Sequence, residues 1–365
     1  MENPARDIFM VNWLKTHEFG VLPGALLMKY GPENYIGATL AVRGTLYFHG
    51  SHTPDVREAI CRCFQRYESI AKPNLTWLWR EEPPEGPNKF TYPKARPLRD
   101  MISQMDENDH VGFTYLGGQK PHDASPWMFW VSGLRGWEAK LGSRGLDTLE
   151  FSIPVALSEA NPIIFQQLFC DFVRLLKAEH GHGGYAFNLS PVREEPNESS
   201  EAVMVSKMAG LDTGKAGIIS RRSRIGITDH IKTVGWLTAI NYDMLAKAGG
   251  LSVLQSALPM DWFAMYDYGK GVVIQCGPRP ELAPTEHDAK PSIYVLPNMA
   301  LRKIRIAELG SLHQGSADGE PRLHGAPAER WLTRFDIPEE ELLAYRAKLL
   351  KEPKLTAETT LPDVL

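Results

Sequence analysis

Cysteine is scarce: four thiols, Cys61, Cys63, Cys170 and Cys276, are scattered through 365 residues. A disulfide framework needs more of them at closer spacing, so a reducing compartment is the expected home. Long apolar runs are missing as well. No window approaches the roughly 18 uninterrupted apolar residues of a membrane span. The apolar stretch Ile8 to Leu14 follows Glu2 and Asp7, is interrupted by Asn12, and precedes no small-residue cleavage site. Neither a membrane segment nor a signal peptide is read, and the cytoplasm is expected. Surplus positive charge is also absent, since 40 basic against 44 acidic residues give a net charge of −4. Nucleic acid and anionic membranes are held chiefly by excess Lys and Arg, which argues against both as general partners.

What is present is ordinary globular material, with 43% hydrophobic and 23% charged residues. Ile36 to Phe48 is rich in β-branched, aromatic and small residues and ends at Gly50-Ser51, which reads as a strand and its turn. Thr53 then offers an N-cap oxygen and Pro54 fills the first helical position. Val56, Ile60, Cys63, Phe64 and Tyr67 recur on one helical face ending before Pro73. The same grammar returns at Leu149 to Leu157, whose period-2 alternation predicts a half-buried strand with Pro154 near its end. Asn161-Pro162 opens a helix bearing Phe165, Leu168, Phe169, Phe172 and Leu176, which Gly181 is expected to stop, and Gly184 to Leu189 is the returning strand.

These passages predict an α+β fold: two similar strand–helix–strand halves with mixed, mainly antiparallel sheets and peripheral helices. The expected divisions are 1–147, an N-terminal half with a proline-rich loop at Glu81 to Pro97; 148–307, a second half; and 308–365, a linker and C-terminal helix. The linker reading rests on the Gly-, Pro- and Ser-rich run Glu308 to Ala328. The helix reading rests on a D-x-x-E capping box at Asp336 and Glu339. Ser190 to Glu201 carries Glu194, Glu195, Glu198 and Glu201 and is expected to be a solvated acidic loop.

No chemistry-bearing constellation stands out. Gly210 to Lys215 has three rather than four residues between its glycines, and Ala216 stands where a phosphate loop needs Ser or Thr. His180 and His182 have no metal-ligand partners at suitable spacing and read as helix-end polar residues; Cys61 and Cys63 would point apart on a helix. Asp106, Glu107 and Asp109 beside His110 read as a solvated turn, and the Arg221-Arg222-Ser223-Arg224 run as a charged surface. No cofactor and no metal is implied. A cysteine hydrolase using Cys276, with His230 or His287 and Asp288, is the alternative from the enzyme class.

The third quarter of the chain resembles the type VI secretion immunity proteins, a bacterial family first catalogued as a domain of unknown function. The resemblance is carried in series by Gly210-Leu211-Asp212, Val234-Gly235-Trp236-Leu237-Thr238, Ala248-Gly249-Gly250-Leu251 and Val272 to Pro280, and covers roughly Ile36 to Ile306. It implies a protein that binds and neutralises a cognate secreted toxin, for some family members a nuclease, and it transfers no catalytic residue. Among the motif residues Trp236 is expected in the core, Gly249 and Gly250 as a helix stop, and Gly277-Pro278 as a strand stop. A toxin-loading adaptor is a further alternative. If the toxin is a nuclease with a basic cleft, an acidic surface would hasten encounter, and the Glu194, Glu195, Glu198 and Glu201 loop is the candidate for it. Nothing in the sequence sets an oligomeric state.

Overall fold

The computed structural model describes residues 35–141, 145–192, 194–222, 227–285, 290–315 and 321–365. The stretch Ile8 to Leu14 lies outside them. Ten strands are described: β1 (Ala38–Phe48), β2 (Trp77–Arg80), β3 (Lys89–Thr91), β4 (Gly112–Leu116), β5 (Met128–Ser132), β6 (Asp147–Ile153), β7 (His180–Leu189), β8 (Leu237–Asn241), β9 (Phe263–Asp267) and β10 (Gly271–Cys276). They form one sheet in the order β3-β2-β4-β5-β6-β1-β7-β8-β10-β9, with every neighbouring pair antiparallel. The helices that matter below are α1 (Pro54–Ala71), α2 (Gly136–Lys140), α3 (Pro162–Leu176), α4 (Glu198–Lys207), α5 (Ala216–Arg222), α6 (Ser292–Ala300), α7 (Ala326–Leu332) and α8 (Leu342–Leu349).

Both expected strand–helix–strand passages exist, as β1–α1–β2 and β6–α3–β7. They are interleaved rather than set side by side, because β1 lies between β6 and β7. Contacts also run across the expected divisions. β5 pairs with β6 across residue 147, and Leu361, near the C-terminus, is buried with its N–H donated to the Tyr266 hydroxyl at 3.2 Å.

One face of the sheet is apolar by the alternation rule. Leu40, Val42, Leu46 and Phe48 of β1 share it with Leu149, Phe151 and Ile153 of β6. Helices α1 and α3 cover this face. Phe151 meets Phe165 at 5.2 Å and Phe172 at 4.7 Å between ring centroids. Gly44 is required there, since a Cβ would run into the Phe151 ring. A second apolar cluster lies around β8 to β10, where Ile240, Trp262, Ile274 and Cys276 pack with Tyr294 of α6 and Leu349 of α8.

Several local expectations need correction. Thr53 has the extended backbone of an N-cap, but its hydroxyl donates to the Gly50 carbonyl and leaves the helix uncapped by a side chain. Gly181 does not stop α3; Lys177 does, at φ 48°, and Gly181 lies inside β7 with His180 and His182, which are strand residues rather than helix-end ones. Asp336 caps nothing. Its carboxylate receives Arg305 at 2.6 and 2.7 Å and Asn298 at 2.8 Å. Inside the proline-rich stretch, β3 and a short 3₁₀ turn do form.

Gly210 sits where backbone crowds backbone: its N–H donates to the Leu282 carbonyl at 2.9 Å, and a Cβ would penetrate the Glu281 carbonyl. Gly210→Ala is therefore expected to cost about 2 kcal/mol or more, in the range of overpacked sites with rigid neighbours. Urea unfolding of the two proteins measures this, and equal midpoints would show that the 281–283 segment gives way freely.

Candidate functional site

The opposite face of the sheet carries polar side chains, and it is buried. Register places Trp130, Glu150, Thr45, His182 and Thr238 in one row across β5, β6, β1, β7 and β8. The adjacent rows contain Ser152 with Arg43, and Thr148 with Tyr47 and His180. β6 was expected to be half-buried, yet each of its seven residues is buried. The cause is a second layer over the polar face, formed by segment 208–215, α5 and part of 311–324, which meets it with charge.

Asp212 is the centre of that layer. Its N–H donates to the Tyr185 carbonyl at 2.8 Å, fixing it beside β7. Its carboxylate receives Arg43 at 3.0 Å and Lys232 at 2.7 Å, and His182 Nε2 lies 3.2 Å away. Burial would raise the carboxyl pKa, but Lys232, His182 and Arg43 outweigh it and hold the group well below the usual carboxylate range. Burial pushes His182 and Lys232 down, and Asp212 opposes that in both. Arg43 also donates to the Phe187 carbonyl at 3.0 Å, and Thr45 to Glu150 at 3.2 Å. Lys232 lies 5.2 Å from the Trp331 ring, on which the Arg334 guanidinium stacks at 3.7 Å.

Three of the four candidate glutamates, Glu194, Glu198 and Glu201, join the same layer, so the solvated-loop expectation is corrected for them. Glu198 and Glu201 are 2% and 3% exposed, against an exposed Glu195 and a half-buried Glu194. Glu198 accepts from the N–H groups of Gln314 and Gly315 at 2.7 and 2.9 Å and from Arg322 at 2.6 Å. Glu201 lies 3.0 Å from His313 Nε2, and Glu194 accepts from Lys215 at 2.7 Å. The run expected as a linker supplies these partners. In its described parts Leu312, His313 and Leu323 are buried, and Ser311 bridges His324 in an antiparallel pair.

The motif residues fall as follows. Trp236 is fully buried, stacks on Phe165 at 5.8 Å and donates Nε1–H to the Gly277 carbonyl at 3.0 Å. Gly249 and Gly250 follow the helix Tyr242–Lys247 at φ 108° and 87°, and Gly277 precedes Pro278 at φ 74°. Cys276 is fully buried in the second apolar cluster; burial alone pushes its thiol far above the ordinary range, and no described charged group acts on it. His287 and Asp288 lie outside the described residues, as do Arg193, Ser223 and Arg224; Arg221 and Arg222 fall at the end of α5. Asp106 and Glu107 are exposed, and His110 is buried with Nε2 3.4 Å from Glu81. Among the described residues, no group of three or more His, Cys, Asp or Glu is arranged to hold a metal ion. Sequence patterning alone does not single out Arg43, Glu150 or Lys232, and it offers Asp212 only as part of a motif string. The polar half of each β1 and β6 alternation was the available signal.

A cleft of about 600 Å³ lies between α1 and the proline-rich segment and is lined by Glu68, Tyr92, Arg96 and Tyr115 among others. An apolar cleft of about 510 Å³ lies between α4 and α7, with Val203 and Trp331 on its walls. In the first of these the Tyr92 hydroxyl donates to the Glu68 carboxylate. No described helix is long and apolar enough to cross a membrane.

Comparison with known proteins defines the class. Residues 59–335 match the family model TsiV, type VI immunity for VRR-NUC, and the chain belongs to that family. The match extends past Ile306 to include the 308–328 segment and α7, which the resemblance read from sequence had left out. Among solved structures, the Pseudomonas aeruginosa T6SS protein PA0821 is similar at 47% identity over 100% of both chains, with a TM-score of 0.91. No curated protein matches.

Removing the Asp212 charge strands Arg43 and Lys232 in the interior. Asp212→Asn is expected to cost about 3–5 kcal/mol near neutral pH. Because the folded pKa is depressed, that contribution is present above the unfolded value of about 3.9 and is lost as pH falls through the folded one. Urea titrations of both proteins at several pH values test this; a gap that stays constant below pH about 4 would contradict it.

His180 gives a separate pH dependence. Burial lowers its pKa to about 3 from 6.5, with Nε2 2.7 Å from the Ile227 carbonyl. The neutral ring's contribution is complete above pH about 6.5 and falls by about 1.4 kcal/mol per unit towards pH 3. His180→Gln, which keeps a donor, is expected to remove one proton's worth of that slope in denaturation across pH 4–6.5.

Proposed function

We propose that this protein binds a VRR-NUC nuclease toxin and neutralises it stoichiometrically, by covering the toxin's surface rather than by chemistry of its own. The family match over residues 59–335 carries this reading. Two features support the non-enzymatic part: the Cys276 thiol is sealed in an apolar cluster, and the ionic groups around Asp212 are buried under a covering layer. Four free, buried cysteines accord with a reducing compartment, and the cytoplasm is where a nuclease would meet the cell's nucleic acid. The toxin is the partner in this reading; nucleic acid and membrane are not.

Protection against a few toxin molecules requires tight binding, and a nanomolar Kd corresponds to about −12 kcal/mol. Large apolar anchors at the interface have to supply much of it. Co-expression with a cognate VRR-NUC toxin is expected to restore growth, and the purified pair to co-elute with nuclease activity suppressed at a one-to-one ratio. Cys276→Ala is expected to protect equally well. Loss of protection in a folded Cys276→Ala protein would revive the hydrolase, and binding without protection would favour a loading adaptor.

A further inference from the structure

The covering layer buries Glu198 and Glu201 and leaves little of the acidic run free to meet a toxin, which directs attention to other exposed surfaces. At the end of the sheet where β2 and β5 finish and β4 begins, two large apolar side chains stand in solvent: Trp137 is 48% exposed and Leu141 is 79% exposed. An exposed tryptophan is expensive in solvent and is the residue type most enriched among interface hot spots. This one is held on a firm base. Helix α2 is pinned to the 105–110 turn by Gly136 N–H donating to the Glu107 carbonyl at 2.8 Å and Trp137 N–H donating to Asn108 Oδ1 at 3.2 Å. Arg57, buried beneath, clamps the turn by donating to the carbonyls of Met105 and Asp106 at 2.7 and 2.6 Å. The turn closes on itself through Asp106 N–H to Asp109 Oδ2 at 2.8 Å and Asn108 N–H to Asp106 Oδ1 at 2.6 Å.

Carboxylates surround the pair of apolar side chains. Glu82, Asp106, Glu107, Asp109 and Glu138 stand against Arg135, Lys140 and the Arg57 buried beneath the turn, which is five against three among the described residues. Arg135 is paired with Glu82, and Lys140 with Glu107 at 2.6 Å, so the cations are already spoken for and the surplus is negative. An apolar centre with a negative rim complements one kind of surface: a positively charged protein face with apolar ground between its cations. A nuclease has such a face wherever it grips phosphates.

We propose that the shelf formed by α2 and the 105–110 turn, centred on Trp137, is the docking surface for the basic face of the nuclease toxin. The proposal rests on the function proposed above. Trp137 is the anchor whose burial contributes most of the affinity it carries, while the carboxylates speed encounter and add little once the complex is formed.

Binding of the full-length chain to the purified VRR-NUC nuclease, followed by surface plasmon resonance at low and high salt, tests it. Trp137→Ala is expected to raise Kd about 30-fold or more, mainly through faster dissociation. Glu82→Lys with Glu107→Lys is expected to slow association about tenfold at low salt and to converge on the parent at high salt. Met260→Ala, which removes another exposed apolar side chain remote in sequence from the shelf, is the control and is expected to change Kd less than twofold; Met260 is 72% exposed. Unchanged thermal melting of each variant shows that folding is intact. If the parent binds and Trp137→Ala binds within twofold of it, the shelf is overturned and the immunity reading stands. If the parent itself neither binds nor inhibits the nuclease, both fall together.

Discussion

Three side chains from two directions meet at the Asp212 carboxylate: the Arg43 guanidinium and the His182 imidazole rise from the sheet, and the Lys232 ammonium comes from the covering layer. Everything laid over the polar face takes its position from that meeting. An ion cluster of this kind adds little net stability compared with apolar packing of the same volume, because desolvation consumes most of the Coulombic gain. Breaking it is costly, however, since each remaining charge is left in a medium that cannot solvate it. The two faces of one sheet therefore differ in what they do. Phe151, Phe165 and Phe172 supply depth of burial on one side, whereas Asp212 and its partners set where the second layer sits on the other.

That difference explains what could be read from the sequence. α1, α3, β1 and β6 follow from local patterns, since their apolar stripes have the helical or alternating period and Pro54, Pro162 and Pro154 mark their ends. The covering layer has no such signature. Glu194 to Glu201 looks like a solvated acidic loop, and Glu308 to Ala328 looks like a linker, when each is taken alone. Both readings fail for one reason: the segments satisfy each other. Glu198 meets Gln314, Gly315 and Arg322, and Glu201 meets His313, across more than a hundred residues of chain. Local composition reports what a segment would do in water and is silent about a distant partner. The Gly210-Leu211-Asp212 motif was legible as a string, but the role of its aspartate depends on Arg43, 169 positions away.

The motif glycines have a plainer logic. Gly210 lets two backbones approach, Gly249 and Gly250 take left-handed conformations, and Gly277 offers its carbonyl to Trp236 while turning the chain at φ 74°. These are conditions for assembling the scaffold, and they explain how strings with no chemistry of their own could carry a family resemblance.

An inhibitor gains from a surface that is already in its bound shape, because ordering side chains and loops on association subtracts directly from affinity. The allocation of charge matters here as much as rigidity. A net charge of −4 says little about an electrostatic field when so many carboxylates are consumed in internal pairs. Glu194, Glu198, Glu201 and Asp212 spend their charge inward on Lys215, Arg322, His313 and Lys232, and contribute little to what an approaching partner senses. The field outside is set by the carboxylates left at the rim, above all where the supporting cations are buried beneath the backbone, as Arg57 is beneath the 105–110 turn. The same scarcity of free charge that makes the interior hard to take apart concentrates the electrostatic character of the surface in a few places.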